Sequence, residues 1–407
     1  MKLKSVLFSL ALLVSCGSAA AQTFYICADA NTTTAAELNF TDASLPTAFI
    51  DSITLHVPAL RFVGGDISLL PTYEEHGAIY KEADGSAIDD VLSFLKQQGW
   101  NTMRVRLFVD PSKASAEAKG QGVRQDLDYV VALARRIKQA GMLLMLDFHY
   151  SDTWADPSAQ WTPQEWQGLS DDQLYIKIYD YTRDCLQQLN DAGASPDFIQ
   201  TGNEISYGML WGKSGSQANR CYIGSNDNWP RFTTLLKQAG KACREVCPQA
   251  RIIIHTERTA QESVLKNFYQ QMASYGVDYD IIGLSYYPYY HGTQATLSAS
   301  LTMLERQFPG KQIMVVETGC SYHYKVGTDN QGYPLTNAGQ KQFATDLIAT
   351  LRQHPQVMGL FWWFPEANEY GLDWSTQRVT DGWYNAGLFD NETGRAQDAL
   401  YELKNFK

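Results

Sequence analysis

Several things are scarce in these 407 residues. Charged residues make up only 19%, and the net charge of −11 comes without any long basic block, which argues against nucleic acid as a partner. There is no CxxC and no paired histidine near the cysteines, so zinc-ligand spacing is missing. No GxGxxG follows the first predicted strand, which removes the dinucleotide-binding fold. The apolar run at the N-terminus is too short to span a bilayer as a permanent helix, and no second apolar segment is long enough either. From residue 60 onward no linker or low-complexity stretch breaks the chain.

What is present is a large apolar fraction, 44%, enough for a substantial core. Aromatics reach 12%, with 10 Trp and 23 Tyr. They suit a packed interior, and equally a carbohydrate cleft where flat rings stack on sugar faces. The N-terminus has the grammar of an export signal: Lys2 and Lys4, then VLFSLALLV, then small residues. Two endings compete. Ala19-Ala20-Ala21 suits ordinary cleavage before Gln22, whereas Leu13-Val14-Ser15-Cys16 has the form of a bacterial lipobox that leaves Cys16 lipidated. The expected location is a bacterial cell surface or periplasm as a lipoprotein, otherwise secretion. Residues 1–21 are read as signal, 22–60 as an N-terminal extension and 61–407 as one domain. Of the seven cysteines, Cys243 and Cys247 lie one helical turn apart and read as packed thiols.

From residue 60 a strand–helix rhythm runs to the end. The strand segments are LRFVGGDIS, NTMRVRLFVDP, MLLMLDFHY, PDFIQTGNE, ARIIIHTE, YDIIGLSYYP, KQIMVVET and QVMGLFWWFP. Between them lie amphipathic segments such as IDDVLSFLKQQG, with Ile88, Val91, Leu92 and Leu95 at helical spacing and Gly99 as the stop. RAQDALYELKNF closes the chain as a last helix. The strands are almost wholly apolar, as expected where both faces of a parallel sheet are covered. Eight such units predict an α/β fold, a single (β/α)8 TIM barrel. The long insertions after strands three, four, seven and eight fall on the rim where such barrels bind ligands.

Strand after strand ends in a polar or aromatic group: Asp66, Arg104 and Arg106, Asp147 and His149, Asn203 and Glu204, His255 and Glu257, Tyr286, Glu317, Trp363. Each alone has an ordinary reading, a solvated charge or a hydrogen-bonded structural histidine. Their convergence on one mouth is costly to build and points to a site. Acetal cleavage needs a proton for the leaving oxygen and a partner for the oxocarbenium ion. Glu204 is read as acid/base and Glu317 as nucleophile. Arg106 and Tyr286 are expected to hold Glu317 ionised, Asn203 to bind a sugar 2-hydroxyl, His149 to bind a hydroxyl, and Trp363 to stack under the sugar. Arg104 competes with Arg106, because alternation puts both on one face, and Tyr287 competes with Tyr286.

With GGDIS (64–68), NTMRVRLFVDP (101–111), DFHYSDTWADP (147–157), TGNEIS (201–206), SYYP (285–288) and VVETG (315–319), the chain resembles glycoside hydrolase family 53, the arabinogalactan endo-β-1,4-galactanases of the clan A barrels. The resemblance runs from about residue 62 to near the C-terminus. It implies retaining hydrolysis of internal β-1,4-galactosidic bonds in pectic (arabino)galactan by double displacement. It implies that Asp66, Asp152 and Trp154 help shape the glycone side. It implies no cofactor for the chemistry, a polysaccharide partner and a monomer, with a lipid anchor if Cys16 is modified. Bacterial relatives often bind calcium after strand eight, where this chain offers Glu366, Glu369, Asp373 and Asp381 as hard oxygen ligands. The chain departs from the family pattern at Trp363-Phe364-Pro365-Glu366, at HTERTA, and in residues 22–60. Mannan, a β-glucan, or glycan binding by an inactive barrel are the alternatives.

Overall fold

The computed structural model describes residues 60–215, 220–224, 228–323 and 330–407. The chain divides into Met1–Leu60 and Arg61–Lys407. The signal, the lipobox and nearly all of the N-terminal extension therefore lie outside the described residues.

Eight parallel strands close into a barrel in chain order. They are β1 (Phe62–Asp66), β2 (Thr102–Leu107), β3 (Leu143–Phe148), β4 (Phe198–Thr201), β5 (Arg251–Thr256), β6 (Ile281–Tyr286), β7 (Gln312–Thr318) and β8 (Val357–Trp363). Each predicted strand segment contains one of them. The connecting helices are α1 (Val91–Gln97), α2 (Leu127–Gln139), α3 (Asp171–Asp191), α4 (Trp229–Val246), α5 (Glu262–Ser274), α6 (Gln294–Gln307), α7 (Asn337–Leu351) and α8 (Asp398–Glu402). The last predicted helix is shorter than its pattern, because residues Leu403–Phe406 tighten into a 3₁₀ turn.

The local causes are plain. In α2 the buried residues Val130, Leu133, Ala134 and Ile137 follow the helical period, and the Asp126 side chain caps the first turn by accepting from Tyr129 N. Gly141 follows that helix at φ +70°, a left-handed turn that favours glycine. A capping box between Ser170 and Gln173 starts α3. The described cysteines, Cys185, Cys221, Cys243, Cys247 and Cys320, are all free and buried.

Inside the barrel, Phe62, Met145, Phe198, Ile253, Ile281, Met314, Val316, Met358 and Phe361 form a cluster separate from the larger core between strands and helices. That cluster plugs the barrel, so it has a floor rather than a pore. Farther along the same strands, toward their C-terminal ends, the inward positions become polar: Asp66, Arg104, Arg106, Asp147, Gln200, His255 and Ser285, each at most 1% exposed. The site is built on this polar layer.

Candidate active site

Arg104 is the hub. Its Nη1 lies 2.8 Å from Asp66 Oδ2, and its Nη2 lies 2.7 Å from Asp147 Oδ2 and 2.9 Å from Glu317 Oε1. The same Nη2 donates to Asn203 Oδ1 at 2.8 Å. Burial alone would weaken the guanidinium's hold on its proton, but Asp147, Glu317 and Asp66 push it upward and keep it charged. A buried cation is tolerable here because every carboxylate around it is also hydrogen-bonded.

Glu317 reaches the hub through an irregularity in β7. Leu284 pairs with Val315, but Ser285 pairs with Glu317, so Val316 is an extra residue in the ladder. Met314 and Val316 already face the barrel interior. Strict alternation would send Glu317 outward; the bulge re-aims it to the mouth. There Arg104 binds Oε1, and Tyr287 donates its hydroxyl to Oε2 at 3.1 Å. Burial raises the Glu317 carboxyl, while Arg104 pulls the other way.

The expected holders, Arg106 and Tyr286, are elsewhere. Arg106 donates to Asp66 Oδ1 at 2.9 Å, and its guanidinium sits over the Trp154 ring, 4.6 Å from the centroid. Tyr286 faces outward, stacks on Phe343 and donates to Gly292 O at 2.9 Å. The inward set on β6 is Ile281, Gly283, Ser285 and then Tyr287, one strand period apart.

Glu204 lies just past β4 in a left-handed backbone conformation, φ +47°, two residues after Gly202 at φ +99°. Such a conformation is uncommon for glutamate and is held by the surroundings. Gln160 Nε2 donates to Asn203 O at 2.7 Å, and Glu204 N points at His255 Nδ1 at 3.4 Å. Ser285 Oγ donates to Glu204 Oε1 at 2.6 Å. Desolvation raises this carboxyl well above the usual range, and the charges of Glu317 and Glu257 raise it further. The two glutamates thus share one mouth in unlike settings. A cation bears directly on Glu317, whereas the charges bearing most on Glu204 are acidic.

The other expected residues sort as follows. Trp363 and Trp154 come together at the mouth with ring centroids 6.4 Å apart, and Trp363 packs edge-on against Trp383 at 5.0 Å. Asp66 is fully buried and clamps both arginines, so it shapes the site from beneath. His149, expected as a hydroxyl ligand, has both ring nitrogens engaged: Nε2 with Asp147 Oδ2 at 3.1 Å, Nδ1 accepting from Ala155 N at 3.0 Å. Asn203 has its amide tied down as well, Nδ2 donating to Ala155 O at 2.8 Å. Asp152 does not present its carboxylate to the mouth. Its oxygens accept from Asp110 N at 3.1 Å and Gln164 N at 2.7 Å, stapling two rim loops.

The four acids expected for calcium do not gather. Glu366 Oε1 accepts from Leu69 N at 2.7 Å, and Glu369 turns toward the Tyr73 hydroxyl. Asp373 closes its own turn through Ser375 and Thr376, and Asp381 faces Arg378. Among the described residues no three His, Cys, Asp or Glu groups are arranged to hold a metal ion. These four carboxylates thus form no shared cluster, and no step below uses an ion.

Sequence reasoning undervalued Arg104 and Tyr287 and passed over Gln200 and Ser285. Gln200 donates to Asp147 Oδ1 at 2.5 Å and sits 3.1 Å from His255 Nδ1. A polar residue at an inward position of an apolar strand, as in FIQT and GLSY, was the available signal.

Known proteins resemble this chain over most of the barrel. The model of Glycosyl hydrolase family 53 matches residues 62–403. A probable arabinogalactan endo-beta-1,4-galactanase A from Neosartorya fischeri is 33% identical over 346 residues, spanning 79% of this chain and 91% of the relative. The Ignisphaera aggregans GH53 catalytic domain superposes with a TM-score of 0.74 at 31% identity, covering 86% of this chain and 96% of that one. A structure from a study of two fungal beta-1,4-galactanases gives a TM-score of 0.70 at 29% identity, covering 85% and 99%. The buried charge layer, the two glutamates above it and these matches lead to one assignment: the chain is a glycoside hydrolase and belongs to glycosyl hydrolase family 53.

Proposed function

We propose that this enzyme is a retaining endo-β-1,4-galactanase that cuts internal bonds of pectic (arabino)galactan by double displacement. The observation that carries the mechanism is the contrast between the two carboxyl groups: Glu317 held by Arg104 and Tyr287, Glu204 raised by burial and acidic neighbours. Paired groups whose surroundings push their acidities apart divide into acid and nucleophile.

In the first step Glu317 attacks the anomeric carbon while Glu204 gives its proton to the departing glycosidic oxygen. The bond to the leaving sugar breaks as the glycosyl–Glu317 ester forms. In the second step ionised Glu204 takes a proton from water, which attacks the anomeric carbon, breaks its bond to Glu317 and frees that carboxylate. Double displacement works at a carboxyl separation of about 5–5.5 Å. Trp154 and Trp363 give the sugar an apolar wall. The galactan substrate is supported by the names of the family members that the chain matches. Export, with Cys16 as a lipid anchor, belongs to the same reading and is supported by the first residues of the sequence.

Reducing-end release from linear β-1,4-galactan, mannan and a β-glucan tests the substrate. Rapid loss of viscosity with galactan, ahead of small sugars, is the expected result. Product from mannan or β-glucan alone overturns it.

A further inference from the structure

The carboxyl of Glu204 must do two things with one geometry. It has to carry a proton on the oxygen that faces the glycosidic bond, and later present that same oxygen as a base. A carboxyl has two equivalent oxygens, so something must choose between them.

Among the described residues the Glu204 carboxyl takes one side-chain hydrogen bond, from Ser285 Oγ to Oε1 at 2.6 Å. Ser285 is fully buried, and its oxygen also lies 2.8 Å from His255 Nε2. A hydroxyl has one proton to give. Its direction is therefore set by the imidazole. At the other end of that ring, two N–H groups point at Nδ1: Glu204 N at 3.4 Å and Gln200 Nε2 at 3.1 Å. A backbone amide cannot reverse, so Nδ1 accepts and the ring proton sits on Nε2. Asn203 Oδ1 lies 3.0 Å from the same Nδ1 and would favour the opposite tautomer. That oxygen already accepts from Arg104 Nη2 at 2.8 Å, so it does not need the ring proton. His255 is fully buried, and burial with Arg104 nearby pushes it well below its usual range, which keeps the ring neutral.

We propose that Ser285 and His255 are positioning residues that give the acid/base carboxyl a fixed polarity: the Glu204 backbone N–H donates to His255, His255 to Ser285, and Ser285 to Oε1, leaving Oε2 to carry the catalytic proton. The chain closes on the residue where it started. Every donor keeps its direction in both protonation states of Glu204, because Oε1 accepts equally as a carboxylate oxygen or as the carbonyl of the acid. No proton moves along the chain; only the one on Oε2 is exchanged with substrate and water. The register places Ser285 directly opposite Glu317 on the neighbouring strand, so the element that aims the acid also borders the nucleophile.

This inference rests on the assignment of Glu204 as acid/base, and the test separates the two. Ser285→Ala is expected to lower kcat/KM on galactan about tenfold while KM stays nearly unchanged. On an aryl β-galactobioside with an acidic phenol, whose departure needs no proton, kcat/KM for Ser285→Ala should stay within about twofold. Ser285→Thr, which keeps the hydroxyl, should recover most of the galactan activity. Losing the donor to Oε1 also weakens the carboxylate form, so the alkaline limb of the Ser285→Ala pH profile should move upward. The other groups facing Glu204 are Glu317, Glu257, Asp156, Tyr287 and Tyr290, and all remain in that variant.

In the unmodified enzyme, ¹⁵N NMR of labelled histidine should show His255 neutral with its proton on Nε2, assigned against the Ser285→Thr spectrum. A proton on Nδ1, equal losses on both substrates, or unchanged galactan activity in Ser285→Ala overturns the inference. If instead Glu204→Gln keeps full activity on galactan, the acid/base assignment itself is what fails.

Discussion

At the residue scale, one of two adjacent tyrosines holds the Glu317 carboxyl. Tyr287 donates to Glu317, and Tyr286 does not. Tyr287→Phe should therefore lose about 10- to 100-fold in kcat, the range of a hydrogen bond to a charged group worth about 1.5–3 kcal/mol. Tyr286→Phe removes only a bond to the Gly292 carbonyl and should cost about 1 kcal/mol of stability with kcat unchanged. Steady-state kinetics and thermal melts on the pair decide this. Glu204→Gln should lose about 10²- to 10⁴-fold on galactan, the usual worth of general acid–base catalysis, and much less on an activated aryl glycoside. Glu317→Gln should lose activity on both substrates, since no leaving group replaces a nucleophile. The tyrosine register stayed open in the sequence, because SYYP permits either ring; alternation selects Tyr287 once the structure shows Ser285 facing inward. The arginine choice was not, because both side chains point inward. The structure shows Arg106 drawn aside by Asp66 and Trp154.

At the element scale, two features escaped the sequence pattern. The bulge in β7 is invisible in KQIMVVET, whose alternation places Met314 and Val316 inward and predicts Glu317 outward. The loop after β8 reads as an acidic ion site, yet direction along an irregular loop follows no period, and its acids point to different partners. Glu366 and Glu369 are buried in that loop, 1% and 2% exposed. Burial lifts Glu366 to about 8, helped by Asp66, and lifts Glu369 to about 7, with Arg378 opposing. The sign follows from linkage. Both groups hold a proton more tightly folded than unfolded, so their contribution favours the native state at low pH. It is lost as pH rises from the ordinary carboxylate range toward about 8 for Glu366 and about 7 for Glu369. Melts across that window should show stability falling with pH, and Glu366→Gln should flatten the slope. A slope unchanged in both Glu366→Gln and Glu369→Gln contradicts the burial argument.

At the scale of the whole molecule, the barrel was the most legible feature. Apolar strand segments and amphipathic helices alternate without interruption, and that pattern has few solutions besides a closed parallel sheet. The position of the site followed too, because barrels carry chemistry at the C-terminal ends of their strands. The pattern showed polar strand ends but not that Asp66, Arg104 and Asp147 form a buried layer beneath the glutamates, since that depends on depth along the barrel axis rather than on face. In the proposed mechanism that layer sets the division of labour between Glu204 and Glu317. Together they predict a bell-shaped dependence of kcat/KM on pH, with Glu317 ionisation on the acid limb and Glu204 deprotonation on the alkaline limb.

The double displacement by these two glutamates is tested most directly by NMR of the anomeric protons during the first minutes of galactan cleavage. The new reducing ends should appear as the β-anomer and drift to the α/β mixture only as they mutarotate. First appearance of the α-anomer would show a single displacement by water, and the roles assigned to Glu204 and Glu317 would be contradicted.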